Sequence, residues 1–328
     1  MLITLVYFFV VVLIFTVRDV AVVLVLVFIS VSILNSVERI FRKVFKKRLL
    51  SVSVSLLVYF LFLALSLWLI VPAVVKEFGS FYSAMMEKVD IKEWKEFFGN
   101  EKILEFFQKV IDYVRPKVDE FVNNFITTTA ASIPSVAMQI FFVILGTIYS
   151  LVYVDVFRSL PKVLYPGRLH ALAVPFMEEL FSNLMRFVQA VFVTATMTGI
   201  LFFLVFEIMD LKYSVTIGVW AFLTNFMPIV GVLFEYIPVF LFSLSLGFKG
   251  VLTMAVITLV IHTTAFVTFL HMMKGYTRIN PVEMLFFILL LWKLYGLLGI
   301  FVAVPLTIFV NVFWKHFVKP HFQEGGAF

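Results

Sequence analysis

Long apolar segments alternate with short charged ones along most of the chain. A helix that crosses a bilayer needs about 20 mostly apolar residues, and several uninterrupted segments come close to that length. These predicted spans are 50–71, 132–153, 190–208 and 251–272. At the N-terminus, the apolar segments 2–17 and 20–34 are separated by Arg18 and Asp19, and this arrangement predicts a helical hairpin.

Residues 73–130 break this pattern, because they contain many acidic and basic side chains. Within them, apolar residues recur at steps of three and four, which is typical of one face of an amphipathic helix. The members of this stripe are Ile103, Phe107, Val110, Val114, Val118, Phe121 and Phe125. The segment is expected outside the cytoplasm, either as a helix on the membrane surface or as an oligomer contact or a cap over a transport pathway.

The last third of the chain contains two apolar segments that are each broken near the middle. Pro228 and Gly231 break segment 213–246, and segment 281–313 is broken near Lys293, Gly296 and Gly299. Each segment predicts a pair of short helices, as two short spans or as one re-entrant hairpin. With the basic loops placed in the cytoplasm, one pair starts and ends outside and the other starts and ends inside. The order of span, hairpin, span, hairpin predicts an inverted repeat, which recurs in transporters with the binding site at the helix breaks.

The composition favours an all-α polytopic membrane protein with these inverted repeats and an extracytoplasmic amphipathic segment. Hydrophobic residues make up 62% of the chain and charged residues 14%, and the mean hydropathy is +1.08. A soluble domain of this length could not bury so much apolar surface. The net charge is +6, but the basic residues lie in short blocks between spans, which indicates membrane topology rather than nucleic-acid binding. The basic block within 38–48 and the residues Lys315 and Lys319 place both termini in the cytoplasm and the protein in the cytoplasmic membrane.

The same pattern divides the chain into five parts. They are N-terminal membrane helices (1–72), the extracytoplasmic amphipathic segment (73–130), a span with a cytoplasmic amphipathic helix (131–189), a transport core with both broken segments (190–314) and a cytoplasmic tail (315–328). The predicted span 50–71 is expected to end near Pro72. Pro175 is expected to start the cytoplasmic helix, with Glu178 and Glu179 in its first turn.

Catalytic chemistry is not predicted. The chain lacks the serine-hydrolase, zinc-protease and phosphate-loop motifs, so we expect no enzyme activity and no ATP hydrolysis. It contains no cysteine, which excludes disulfides and thiolate metal sites. No metal or cofactor is expected. The predicted partners are the lipid bilayer and a small polar solute or monovalent cation, with H⁺ and Na⁺ as candidate coupling ions and no nucleic acid.

Polar side chains at membrane depth are costly and are therefore candidates for function. Glu235, which follows the first break, could bind a proton or Na⁺, or could lie at the interface. Thr224 and Asn225 precede this break, where they could bind a cation or polar substrate or cap the hairpin. Lys293 could pair with Glu235 if the breaks of the two apolar segments lie against each other. It could instead extend to the membrane–water interface. His262 could relay protons or be a hydrogen-bonded core residue.

The helix breaks resemble the signatures of a known family. The first signature is similar to Asn225-Phe-Met-Pro228-Ile-Val-Gly231 followed by Ile237-Pro238. The second is similar to Asn280-Pro281 followed by Gly296-Leu-Leu-Gly299 and then Pro305-Leu306. Both belong to the autoinducer-2 exporter family of bacterial and archaeal permeases. In the first signature the family often has a proline where this chain has Val232.

The resemblance implies secondary transport without ATP, by a homo-oligomer. Family members have been assigned export of the signal autoinducer-2 and Na⁺(Li⁺)/H⁺ antiport. The matching positions here are Asn225, Pro228, Gly231, Pro238, Pro281, Gly296, Gly299 and Pro305, with Gln189 as a looser match. The sequence also leaves open a membrane scaffold that does not transport and assembles through 73–130.

Overall fold

A computed structural model describes residues 18–88, 138–153, 168–227, 230–275 and 280–320, together with isolated helical positions between 102 and 120. The predicted span 2–17, the apolar stripe of the amphipathic segment and Pro228 lie outside the described residues. The described residues are helical apart from short turns and include no strand. They fall into two compact units.

The first unit contains α1 (Arg18–Arg42), the first part of α2 (Arg48–Lys88) and α3 (Met138–Val152). Within it, α1 and α2 form a helical hairpin. The Tyr59 hydroxyl donates a hydrogen bond of 3.0 Å to Ser30 Oγ. Nearer the loop, Ser51 Oγ donates a hydrogen bond of 3.3 Å to Glu38 Oε1. Because these two bonds join residues 29 and 13 positions apart, α1 and α2 pack antiparallel.

Two helix boundaries differ from the sequence prediction, and both involve a proline. α2 continues through Pro72 to Lys88, although the predicted span 50–71 was expected to end near Pro72. Pro175 lies inside α4 (Arg168–Ile208) rather than at a helix start. An internal proline removes one backbone hydrogen bond and costs about 3 kcal/mol. The remaining hydrogen bonds on both sides keep a long helix intact. α4 is therefore one helix of 41 residues that includes both the predicted cytoplasmic helix and the predicted span 190–208.

The second unit contains the later part of α2 and the elements from α4 onward. These are α4, α5 (Ser214–Thr224), α6 (Val230–Ser243), a 3-10 turn (Leu244–Leu246), α7 (Gly247–Met273), α8 (Pro281–Tyr295), α9 (Leu297–Phe313) and a π-helical turn (Trp314–Val318). Both broken segments are confirmed as helix pairs, α5–α6 and α8–α9. Asn280 caps the N-terminus of α8, since its Oδ1 accepts a hydrogen bond of 3.0 Å from the Val282 N–H.

Two apolar clusters lie along α4. One contains the fully buried residues Phe202, Phe206, Ile217 and Met254, contributed by α4, α5 and α7. In the other, the ring of Phe176 packs edge-to-face against Phe309, Phe313, His316 and Phe317. Helices in lipid associate through close packing of this kind and through interhelical hydrogen bonds.

α4 and α5 approach each other closely at two glycines. A Cβ atom at Gly199 would lie 2.7 Å from the Gly218 carbonyl oxygen. We therefore expect Gly199→Ala to push α5 away, to cost about 1–3 kcal/mol and to lower the thermal unfolding temperature of the purified protein in detergent. Val193→Ala is the matched control on the same helix, because Val193 is 42% exposed and its truncation adds no atom at the contact with α5. Equal shifts for the two variants would contradict the expectation.

A charged cluster joins α4 to the π-helical turn. Lys315 Nζ lies 2.8 Å from Glu179 Oε1, and His316 Nε2 lies 2.8 Å from Glu179 Oε2. Two consecutive residues of the π-helical turn therefore bind one carboxylate. This cluster fixes the chain at the end of α9 against the N-terminal half of α4.

Four helical stretches among the described residues are long and apolar enough to cross a membrane. They are Val22–Arg42, Arg48–Ile70, Ala171–Ile208 and Gly231–Met273. Large apolar side chains such as Leu57, Trp68 and Phe266 are exposed on them. Such residues face lipid in a membrane protein, where only helices and closed barrels satisfy the backbone. The prediction of an all-α polytopic membrane protein is confirmed.

Candidate functional site

A carboxylate lies fully buried in the second unit. Glu235 on α6 is 0% exposed. Its Oε1 lies 3.0 Å from His262 Nε2 on α7, and its Oε2 accepts a hydrogen bond of 2.9 Å from Asn225 Nδ2 at the end of α5. A buried carboxylate requires such partners, because leaving water costs several kcal/mol. Three helices therefore meet at one carboxylate, and three of the predicted site residues are brought together.

The end of α5 and the start of α6 are held close by a glycine. A Cβ atom at Gly231 would overlap with the Thr224 carbonyl oxygen. The Gly231 N–H donates a hydrogen bond of 2.9 Å to the Met227 carbonyl oxygen across the turn. Asn225 Nδ2 also donates a hydrogen bond of 2.9 Å to the Ala221 carbonyl oxygen, which orients the amide toward α6. The described residues of the first signature, 225–227 and 230–231, thus lie close to the carboxylate.

Aromatic rings contact the imidazole, and two buried hydroxyls lie one helical turn before residues of this group. The ring centroids of Tyr236 and Phe202 lie 5.2 and 6.0 Å from that of His262. Thr258 lies one turn before His262 on α7, and Thr198 lies one turn before Phe202 on α4. Both hydroxyls are buried, and neither has a hydrogen-bond partner within the described part of the chain. They provide polar groups that a solute or ion could bind.

The site combines two groups that can exchange a proton. The imidazole nitrogen and the carboxylate oxygen lie 3.0 Å apart, so one proton can be held by either group. The pair can therefore exist as a charged pair or as a neutral acid and base. Over the described ranges, no group of three or more His, Cys, Asp or Glu side chains could hold a metal ion.

A family model and two relatives cover most of the chain. The model for the AI-2E family transporter matches residues 2–319. The chain belongs to the AI-2E transporter family. A protein of Thermotoga maritima, provisionally named a transport protein, is similar to it, with 38% identity over 307 residues that cover 94% of this chain and 91% of that protein. A second T. maritima protein with the same provisional name is 24% identical over 281 residues, 83% of each chain. The resemblance inferred from the helix breaks is thereby confirmed.

The remaining AI-2E signature residues lie in or between helices. Gly296 ends α8 with a φ of 60°, which favours glycine. A Cβ atom at Gly299 would overlap with the Leu291 carbonyl oxygen, so this glycine lets α9 start close to the end of α8. Pro305 lies inside α9, and Pro238 lies inside α6. These positions shape the two helix pairs and carry no ionisable group.

The tips of the two helix pairs meet through apolar contacts. Met227, in the turn before α6, packs against the cluster of Ile288, Leu291, Ile300 and Ala303 on α8 and α9. Lys293 is exposed in the last turn of α8. Of the two alternatives left open for Lys293, the pairing with Glu235 is not formed in the structure, where the carboxylate oxygens contact His262 and Asn225. The long lysine side chain extends outward, as lysines near helix ends commonly do.

Two residues at the site were not predicted from the sequence. Tyr236 contacts the imidazole, and Trp220 Nε1 donates a hydrogen bond of 2.9 Å to the Phe234 carbonyl oxygen. Thr224 was predicted and is buried, but its hydroxyl donates to the Trp220 carbonyl oxygen of its own helix at 2.9 Å. The same hydroxyl also lies within hydrogen-bonding reach of the Glu235 carboxylate, so Thr224 belongs to the AI-2E site together with Asn225 and His262.

Proposed function

We propose that this chain is a secondary transporter that moves a small polar solute or a monovalent cation across the cytoplasmic membrane. Glu235, His262 and Asn225 form its binding centre in this proposal. The observation that supports it most is the buried carboxylate 3.0 Å from an imidazole nitrogen. Ionisable groups buried among apolar helices are costly and mark substrate and ion pathways. Membership of a transporter family supports the same function.

Exchange of a proton at this pair is the proposed coupling step. A Na⁺ or Li⁺ ion that binds the Glu235 carboxylate competes with a proton for the same oxygen atoms. Cation binding therefore releases a proton, and this favours Na⁺(Li⁺)/H⁺ antiport as the second candidate function. A neutral polar solute would instead use the Asn225 amide and the free Thr258 hydroxyl.

We further propose that the two helix pairs are re-entrant hairpins in opposite orientations. Two of their helices, α5 and α8, have 11 and 15 residues, which is shorter than the roughly 20 that a span requires. Movement of one pair against the other would alternate access to the site. The proposal also puts both termini in the cytoplasm, which is supported by the basic residues of the loops. Assembly as a homo-oligomer is part of the proposal and is supported by the family resemblance.

Proteoliposomes that contain a pH-sensitive dye test this function. After a proton gradient is imposed, we expect added Na⁺ or Li⁺ to collapse it in vesicles with the native protein. Glu235→Gln removes the exchanging group and is expected to slow this response more than about tenfold. Glu178→Gln is the matched control, because Glu178 is an exposed carboxylate on α4 away from the site.

Two results would count against these assignments. If Glu235→Gln responds as fast as the native protein, the carboxylate is not the binding centre. If the native protein gives no response to either cation, antiport is excluded, and the same vesicles are then used to measure proton flow on addition of polar solutes.

A further inference from the structure

The indole of Trp220 binds a backbone carbonyl on the neighbouring helix. Trp220 lies on α5, and its Nε1 donates a hydrogen bond of 2.9 Å to the carbonyl oxygen of Phe234 on α6. In a regular helix, the carbonyl of residue 234 accepts its bond from the N–H of residue 238. Residue 238 is a proline and has no N–H. The indole therefore replaces the donor that Pro238 removes.

The hydrogen bond from the indole to the Phe234 carbonyl is expected to stabilise the fold, because this carbonyl lies in an apolar segment. Phe234 and Pro238 belong to a stretch, Gly231–Met273, that is apolar and long enough to cross a membrane. A backbone carbonyl without a partner in hydrocarbon costs several kcal/mol. The proline ring also displaces the carbonyl four residues earlier from the helix axis. The displaced carbonyl becomes accessible to a donor on an adjacent helix.

This bond acts on the peptide unit that carries the site carboxylate. The Phe234 carbonyl carbon is bonded to the backbone nitrogen of Glu235. α5 thus contacts α6 at two points on either side of that peptide, through Trp220 to Phe234 and through Asn225 Nδ2 to Glu235 Oε2 at 2.9 Å. Two attachments fix both the position of α6 and its rotation about its axis. The rotation of α6 sets the distance between Glu235 and His262.

We propose that Trp220 is a positioning residue for the Glu235–His262 pair, and that its indole N–H substitutes for the backbone donor missing at Pro238. The functional part of this inference rests on the proposed transport function, whereas the geometric part does not. A different role for Trp220 is an interfacial anchor, which is common for tryptophan in membrane proteins. An anchor would act independently of residue 238, and this difference decides between the two roles.

A double-variant cycle tests the proposal. Trp220→Phe removes the donor, and Pro238→Ala restores a backbone N–H for the Phe234 carbonyl. In the native background we expect Trp220→Phe to slow transport about tenfold, as one lost hydrogen bond implies. In the Pro238→Ala background the same change is expected to have less than about a twofold effect. Trp68→Phe is the matched control, because Trp68 is 73% exposed on α2.

A spectroscopic readout follows the geometry without requiring transport. The imidazole nitrogen resonances of histidine-labelled protein are recorded, and His262 is assigned by its absence in His262→Gln. Trp220→Phe is expected to shift the His262 resonance, and the Pro238→Ala/Trp220→Phe protein is expected to match Pro238→Ala alone. Failure of the native protein to transport would overturn the proposed function but leave this comparison intact.

Two results would overturn the positioning role. One is an equal effect of Trp220→Phe in both backgrounds, on the transport rate or on the His262 resonance. The other concerns a Trp220→Phe protein that does not accumulate in folded form. If the Pro238→Ala/Trp220→Phe protein does not accumulate either, the role is rejected. If folded protein is recovered in that double variant, the role is supported.

Discussion

Gly231→Ala is expected to separate α5 from α6 and to remove the Glu235 site. The new Cβ would overlap with the Thr224 carbonyl oxygen, which is a backbone atom and cannot move without its helix. Displacing a helix end in this way exceeds the usual cost of overpacking, so we expect a loss of about 3 kcal/mol or more. The loss is measured as a lower unfolding temperature in detergent, together with loss of the cation response in proteoliposomes.

Val232→Ala provides the control at the adjacent position of α6. It removes side-chain volume instead of adding it, and Val232 is only partly buried. We expect a decrease in stability well below that of Gly231→Ala and a retained cation response. A Gly231→Ala protein with native stability and native transport would show that the close approach of the two helices is not needed.

His262→Leu is expected to have the second large effect, because it leaves the Glu235 carboxylate buried with only the neutral side chains of Thr224 and Asn225 as hydrogen-bond partners. Removing one member of a buried pair typically costs about 3–5 kcal/mol. The variant should unfold at a lower temperature than the native protein, and its cation response should be lost. Adding Glu235→Gln neutralises the buried charge, so the double variant should recover part of the stability but none of the transport.

His271→Leu separates this effect from the general loss of a histidine. His271 lies on the same helix and is exposed. We expect little change in its unfolding temperature and a normal cation response. Strictly additive losses of stability for His262→Leu and Glu235→Gln would contradict the pairing, since residues in contact show a coupling energy.

The helix pairs could be predicted from the sequence because their breaks are local features. A proline, a glycine or an Asn-Pro cap changes the backbone at its own position, so Gly231, Gly296 and Asn280 each mark a boundary without any knowledge of the fold. The internal prolines Pro72 and Pro175 show the limit of this reasoning. Their local cost is outweighed by the hydrogen bonds of long helices on both sides, and the sum over a whole helix cannot be inferred from one residue.

The composition of the site could be predicted only in part. Glu235 and His262 were selected individually, because polar groups in apolar segments are rare. Their pairing depends on how α6 and α7 pack, and the two residues are 27 positions apart. Charge alone left Lys293 open as a partner of Glu235 beside an interfacial position. The sequence offers one overlooked signal, since Pro238 necessarily leaves the Phe234 carbonyl without its helical donor.

The length of α4 means that a small change in its tilt would move its ends over a large distance. Its 41 residues extend about 60 Å, roughly twice the thickness of the hydrocarbon core. A tilt of roughly 10° about the bilayer centre would displace the Arg168 end by several ångströms. Glu179 lies near that end and binds Lys315 and His316, so the displacement would pull directly on the chain that follows α9. Angular motion at the close contact between α4 and α5 could thereby be transmitted to the second helix pair.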